Sequence, residues 1–189
     1  MEKSKIISDK YKAKICHIQW VPAEYLKLTQ CNKKLLKDLN TRWNTESKKI
    51  LAKLGTIAAH RKALLAIYMN KTDNNIILES DATLSAKLPS PPNVSCYLGG
   101  WIIPPQITKA GITKMNVHPK KGLNSIEYGT FSVLMAHSYF IKTFEESMEL
   151  FQTTITDKIK NYDIHLIDME FFKNYYYPPI FVQGKHVSE

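Results

Sequence analysis

The stretch Asn75-Ile76-Ile77-Leu78-Glu79-Ser80-Asp81-Ala82 decides the fold that this sequence predicts. Its short apolar run follows Asn74-Asn75 and is typical of a buried β-strand. Two acids, Glu79 and Asp81, come one residue apart at the carboxyl end of that strand. Because an unpaired carboxylate is strongly disfavoured in apolar surroundings, we expect something cationic to meet them.

Two interpretations of this acidic pair are open. Carboxylate oxygens at a strand end suit Mn²⁺ or Mg²⁺, which keep some waters and share their other positions with a substrate phosphate. Alternatively, Glu79 and Asp81 only cap the transition from strand to loop. The pair alone favours neither.

The elements around the strand predict an α/β domain. Residues 56–69 are rich in Ala and Leu, contain no Gly or Pro, and predict a helix that ends at Asn70. Helix, short polar turn and apolar strand in this order favour a sheet with parallel pairing. Further helices are predicted at 23–39, 46–54, 138–153 and 155–167, and further strands at 12–20, 94–98, 128–135 and 177–183.

Length and composition fit one globular domain over residues 1–189. The chain has 10 Tyr, 7 Phe and 3 Trp, more aromatic residues than a disordered chain carries. No run approaches 18 apolar residues, so no membrane span is expected. We predict a cytoplasmic protein, because the first residues lack the apolar core of a signal peptide and the cysteines have no metal-like spacing: Cys16, Cys31 and Cys96.

The formal net charge of +9 favours anionic partners. Its lysines are scattered, and no stripe of five or six basic residues occurs. One hypothesis is a nucleic-acid-binding module that stacks bases on aromatics such as Tyr175-Tyr176-Tyr177. Because no recognition pattern accompanies the charge, nucleic acid is not the expected partner.

Two segments carry residues suited to a nucleotide. Gly55 with His60-Arg61 opens the predicted 56–69 helix, whose N-terminal N–H groups attract phosphate; the alternative is a turn followed by a solvated face. Gln19-Trp20 ends the first predicted strand, where α/β sheets bind ligands; the alternative is a core tryptophan.

Two further segments complete the candidate site. Gly99-Gly100 permits close approach of the backbone to a ligand, or marks a bulge. Asp168 and Glu170 lie between apolar residues, so partial burial is expected for at least one, which makes them candidates for a general base; the alternative is a charged helix edge. His186 either completes a metal shell or is simply exposed.

The order of these motifs resembles glycosyltransferase family 25, which includes lipopolysaccharide and collagen galactosyltransferases. The signal-free, lysine-rich chain also looks similar to glycosyltransferase domains encoded by large DNA viruses. The resemblance covers residues 12 to 183 and rests on Gly55, Ala59-His60-Arg61, Ile76–Ala82, Gly129–Ala136, Ile167-Asp168 and Pro178–Gln183.

The resemblance implies the GT-A fold: a Rossmann-like mixed, mostly parallel sheet flanked by helices. It implies a hexosyltransferase of the inverting type, which moves a sugar from a UDP-sugar to a hydroxyl of a glycan or glycoprotein. Asp81 takes the position of the direct Mn²⁺ (or Mg²⁺) ligand, and Glu79 that of the residue on the ribose or the metal's water shell. Asp168, with Glu170 second, takes the position of the base. A degenerate transferase retained as a carbohydrate-binding lobe is the third hypothesis.

Overall fold

The structure, a computed structural model, describes residues 47–103, 117–155 and 161–184, together with Lys37 and Thr41. The elements predicted before residue 40, including Gln19 and Trp20, lie outside these residues. His186 also lies outside them.

Helix α1 is one continuous helix of 24 residues, Ser47–Asn70. Ile50, Ile57 and Leu64, seven residues apart, are buried along one face of it. Gly55 is buried inside the helix rather than at a break, so the prediction that a new helix begins after it is wrong. A glycine in a helix interior costs only about 1 kcal/mol relative to alanine, and the packing on both sides outweighs that.

In the described residues after α1, the chain forms nine short strands and two more helices. The strands are β1 Asn75–Leu78, β2 Ala82–Leu84, β3 Cys96–Tyr97, β4 Trp101–Ile103, β5 Gly122–Ser125, β6 Ser132–Leu134, β7 Ser138–Ile141, β8 Asn174–Tyr177 and β9 Phe181–Gln183. The helices are α2 Phe144–Thr153 and α3 Tyr162–Asp168.

Five strands form a mixed sheet in the order β1-β7-β3-β8-β5. Of its four pairings only β3 with β8 is parallel, and the others are antiparallel. The expected mostly parallel sheet is therefore wrong for the described residues, although the mixed α/β class is confirmed. Two two-stranded sheets, β2 with β9 and β4 with β6, lie beside it.

The segment 138–153, predicted as one helix, divides into a strand and a helix. Ser138–Ile141 is a central strand buried at all four positions, and such a run has the same apolar character as a buried helix. Helix α2 begins only after Thr143, whose side chain forms a capping box with Glu146. The strand before this helix is thus β7, not the Gly129–Ala136 segment that the resemblance matched.

The alternation of side chains along the sheet separates two apolar clusters. Tyr97, Tyr139 and Ile141 belong to the same cluster as six buried helix residues: Ile57, Leu64, Ile67, Leu150, Tyr162 and Leu166. Cys96 and Phe140 face a smaller cluster built with residues from the 84–98 segment and from the chain around β9. No described helix is long and apolar enough to cross a membrane.

Strand direction defines the edge where a ligand is expected. Strand β7 is antiparallel to both β1 and β3, and β8 is parallel to β3. The carboxyl ends of β1, β3 and β8 therefore lie at one edge of the sheet, called here the site edge. The start of β8 and the end of α3 lie at the opposite edge.

Candidate functional site

The chain turns sharply where β1 ends, and this turn brings Glu79 to the site edge. The Glu79 backbone N–H donates to the carbonyl of His137 (2.9 Å), and the Glu79 carbonyl accepts from the Ala82 N–H (3.0 Å). The Glu79 side chain is 32% exposed, so it lies at the boundary between the core and solvent.

Glu79 meets a buried imidazole from α1. His60 is 4% exposed, and its Nε2 lies 3.0 Å from Glu79 Oε1. Its Nδ1 lies 2.9 Å from the Tyr139 hydroxyl. The Tyr162 ring stacks on the imidazole with centroids 4.1 Å apart and planes 12° apart. Glu79 thus meets a histidine of the protein itself, through a hydrogen bond to one of its two carboxylate oxygens.

Asp81 is held next to the end of β9. Its Oδ2 accepts a hydrogen bond from Gln183 Nε2 (2.8 Å), and its carbonyl accepts from the Gly184 N–H (2.7 Å). The pairing of Ala82 with Gln183 continues this contact into the β2–β9 sheet. The acidic stretch and the C-terminal strand, two of the motifs behind the resemblance, are therefore neighbours in space.

Gly99 and Gly100 sit at the carboxyl end of β3, packed against the protein's own chain. A Cβ at Gly99 would collide with His137 Nε2, Ser138 Oγ and the Phe181 carbonyl. Gly100 has a φ of +125°, and a Cβ there would come within 2.6 Å of a backbone carbonyl. The chain does pack closely here, but the approaching atoms belong to the protein: His137, Ser138 and Phe181 at Gly99, and β6 at Gly100. Close approach to a ligand stays a prediction.

Buried polar atoms lie between the acidic pair and the glycines. His137 Nε2 donates to the Phe181 carbonyl (3.2 Å). His137 Nδ1 and Ser138 Oγ are buried with no hydrogen-bond partner among the described residues. Since β7 separates β1 from β3, Glu79 and Gly99 are two strand spacings, about 10 Å, apart.

The acidic pair fits a cation that takes most of its ligands from elsewhere. No three His, Cys, Asp or Glu residues of the described chain form a group that could hold a metal alone. Mg²⁺, which needs only one or two protein carboxylates when substrate phosphates and waters fill its other positions, is compatible with that. Both carboxylates already have one oxygen bonded within the protein, Glu79 Oε1 to His60 and Asp81 Oδ2 to Gln183.

The anion site predicted at the start of a 56–69 helix is not formed, because α1 begins at Ser47. Gly55 is inside the helix. The Arg61 guanidinium lies over the Phe151 ring of α2, 5.1 Å from its centroid. His60 and Glu79 are brought together, whereas Gly55 and Arg61 have other roles in the packing.

Asp168 and Glu170 lie at the opposite edge, and both are exposed. Glu170 forms an ion pair with Lys173 (2.9 Å) just before β8. The expected partial burial is therefore wrong, and the structure does not bring these acids together with Glu79 and Asp81. The exposed helix edge, the alternative interpretation, describes them better.

Three aromatic residues at or next to the site were missed by the sequence reasoning. Tyr139 and Tyr162 were counted only as helix residues; burial raises the pKa of both, so their hydroxyls stay protonated. Trp101, directly after Gly100, is 63% exposed at the site edge. An indole that follows two glycines was the available signal for a stacking surface.

Comparison of the chain with protein-family models, with curated proteins and with solved structures found no match.

Proposed function

We propose that this protein transfers a sugar from a nucleoside diphosphate sugar, a UDP-sugar, to a hydroxyl of a glycan or glycoprotein, using Mn²⁺ or Mg²⁺. The observation that carries the proposal is the position of Glu79 and Asp81. Both follow a strand at the edge where β1, β3 and β8 all end. Open α/β sheets bind nucleotides outside the carboxyl ends of their strands.

Asp81 is the proposed protein ligand of the cation, and the donor diphosphate with waters supplies the rest of its shell. When bound, the cation neutralises the charge that develops on the leaving diphosphate. The excess of lysine supports the proposal, since a net charge of +9 raises the local concentration of phosphorylated donors.

The surroundings of the acidic pair add two supporting features. Trp101 offers an exposed indole at the same edge, and an aromatic face of this size suits a nucleobase or a sugar ring. The mixed sheet with helices packed on it is compatible with the GT-A fold that the resemblance implies, and that assignment is part of the same proposal.

Calorimetry of UDP binding with and without Mn²⁺ tests the proposal. We expect Mn²⁺-dependent binding by the unaltered protein and a loss of about a hundredfold in affinity for Asp81→Asn, the upper range for disturbing a metal site. Asp168→Asn removes the same charge at the opposite edge and should bind like the unaltered protein. Equal affinity in Asp81→Asn, or binding that ignores Mn²⁺, would contradict the proposal.

A further inference from the structure

We propose that His60, held by Tyr139 and Tyr162, is a positioning residue that fixes the carboxylate of Glu79 for the nucleotide. The inference rests on the proposed function and concerns three buried residues that this function does not otherwise use. His60, Tyr139 and Tyr162 come from α1, β7 and α3, and together with Glu79, which directly follows β1, they join the helical layer to the site edge.

The hydrogen bond to Glu79 has a defined direction. A carboxylate only accepts, so the proton on His60 Nε2 is donated to Glu79 Oε1 at 3.0 Å. When the imidazole is neutral, its Nδ1 accepts from the Tyr139 hydroxyl at 2.9 Å. The Tyr139 oxygen then accepts from Tyr162, 3.2 Å away. In this arrangement each tyrosine hydroxyl donates one hydrogen bond, Tyr162 to Tyr139 and Tyr139 to His60.

Burial maintains this direction. Removal from water raises the pKa of both tyrosines, so their hydroxyl protons remain in place. The stacked ring of Tyr162 also fixes the plane of the imidazole. Because the ring cannot turn, Nε2 continues to face Glu79.

The consequence for Glu79 is a carboxylate with one oxygen fixed before any ligand arrives. A free glutamate side chain loses rotamer freedom when it binds, and that loss opposes binding. Here the loss occurs on folding instead. Outer residues that orient a ligating group in this way typically change affinity about 10- to 100-fold when they are altered.

Conservative variants separate positioning from a purely structural role. Tyr139→Phe removes only the hydroxyl that fixes His60. Tyr128→Phe is the matched control, because the Tyr128 hydroxyl donates to the Phe172 carbonyl (2.6 Å) at the opposite edge. Both changes should lower the melting temperature, whereas only Tyr139→Phe should weaken UDP–Mn²⁺ binding, by about tenfold.

A second comparison assigns that loss to Glu79. In a Glu79→Gln background, Tyr139→Phe should change the affinity less than twofold, since the carboxylate that it helps to fix is gone. A loss of affinity equal in both backgrounds would overturn the inference. The inference would also be overturned if Tyr139→Phe lowered the melting temperature but bound UDP–Mn²⁺ as tightly as the unaltered protein.

Ring ¹⁵N spectra of His60 in the free protein test the same arrangement without nucleotide. We expect a proton on Nε2, with the Nε2 signal displaced by Glu79→Gln. An Nε2 without a proton, or no response to Glu79→Gln, would refute the positioning. If these spectra agree and UDP still fails to bind, the proposed function is wrong while the arrangement around Glu79 stands.

Discussion

Two acid-x-acid pairs, Glu79-Ser80-Asp81 and Asp168-Met169-Glu170, look alike in sequence and differ completely in the structure. Each adjoins an apolar run, and each suggested a carboxylate near the core. The first pair meets a buried imidazole and the Gln183 amide at the site edge. The second is exposed at the opposite edge, where Glu170 pairs with Lys173.

The difference arises from residues far away along the chain. Glu79 is hydrogen-bonded to His60, which lies 19 positions earlier in the chain. His60 is in turn hydrogen-bonded to Tyr139, 79 positions further on. Glu170 is paired with a lysine only three positions away. Local pattern therefore selects acids beside apolar runs, and long-range packing decides which of them is partly buried and held by distant residues.

The largest effect on stability is expected when a glycine at the site edge is replaced by alanine and compared with the same replacement at the opposite edge. Gly99→Ala places a methyl group against the Phe181 carbonyl and the side chains of His137 and Ser138. Because the Phe181 carbonyl is part of the backbone, it cannot move aside as a flexible side chain can. We therefore expect the unfolding free energy to fall by about 3 kcal/mol, the upper part of the range for overpacking. Chemical denaturation followed by circular dichroism measures it.

Gly129→Ala is the control for this substitution. Gly129 is exposed next to Tyr128 at the opposite edge, and nothing lies within 4 Å of an added Cβ. Its unfolding free energy should change by no more than about 0.5 kcal/mol. Similar losses in both variants would mean that the site edge is packed no more tightly than the other one.

The two glutamates provide the next comparison. Glu79→Gln weakens a partly buried, charge-assisted hydrogen bond to His60, and we expect a loss of about 1–2 kcal/mol in stability. Glu170→Gln removes a surface ion pair whose side chains are 51% and 62% exposed, so about 0.5 kcal/mol or less is expected. Urea midpoints of the two variants measure both, and a larger loss in Glu170→Gln would reverse the comparison.

Local pattern was sufficient for part of the fold. The apolar run before Glu79 gave β1, and the Ala- and Leu-rich segment gave the second half of α1. The buried strand β7 was missed because four consecutive buried residues have no alternation to distinguish them from a helix. The Thr143-x-x-Glu146 capping box was the signal that α2 starts later.

The candidate site was predictable only as a set of residues. Glu79, Asp81, His60 and the two glycines lie near one edge of the sheet, but the helix N-terminus assigned to His60 is not formed, and nucleotide binding by these residues stays a prediction. Strand direction also has no local signature. The parallel expectation failed because β7, assigned to a helix, is the antiparallel partner of both β1 and β3.

The smallest effect is expected on the pH dependence of stability, through Asp168 at the opposite edge and the buried His165. His165 Nε2 lies 3.0 Å from Thr153 Oγ1 in α2. Burial lowers the pKa of His165 below 6.5, while the nearby Asp168 charge and the Thr153 hydrogen bond oppose that shift. Below about pH 6.5, the unfolded chain therefore binds a proton on His165 that the folded protein does not. The contribution of His165 to stability is complete above pH 6.5 and is lost as the pH falls through the lowered pKa of His165 in the folded protein. Asp168→Asn removes the opposing charge and should steepen the loss of stability between pH 6.5 and 5, as followed by melting temperature, without altering it above pH 7.5. An unchanged slope would show that Asp168 does not act on His165, and a shallower one would reverse the sign argued here.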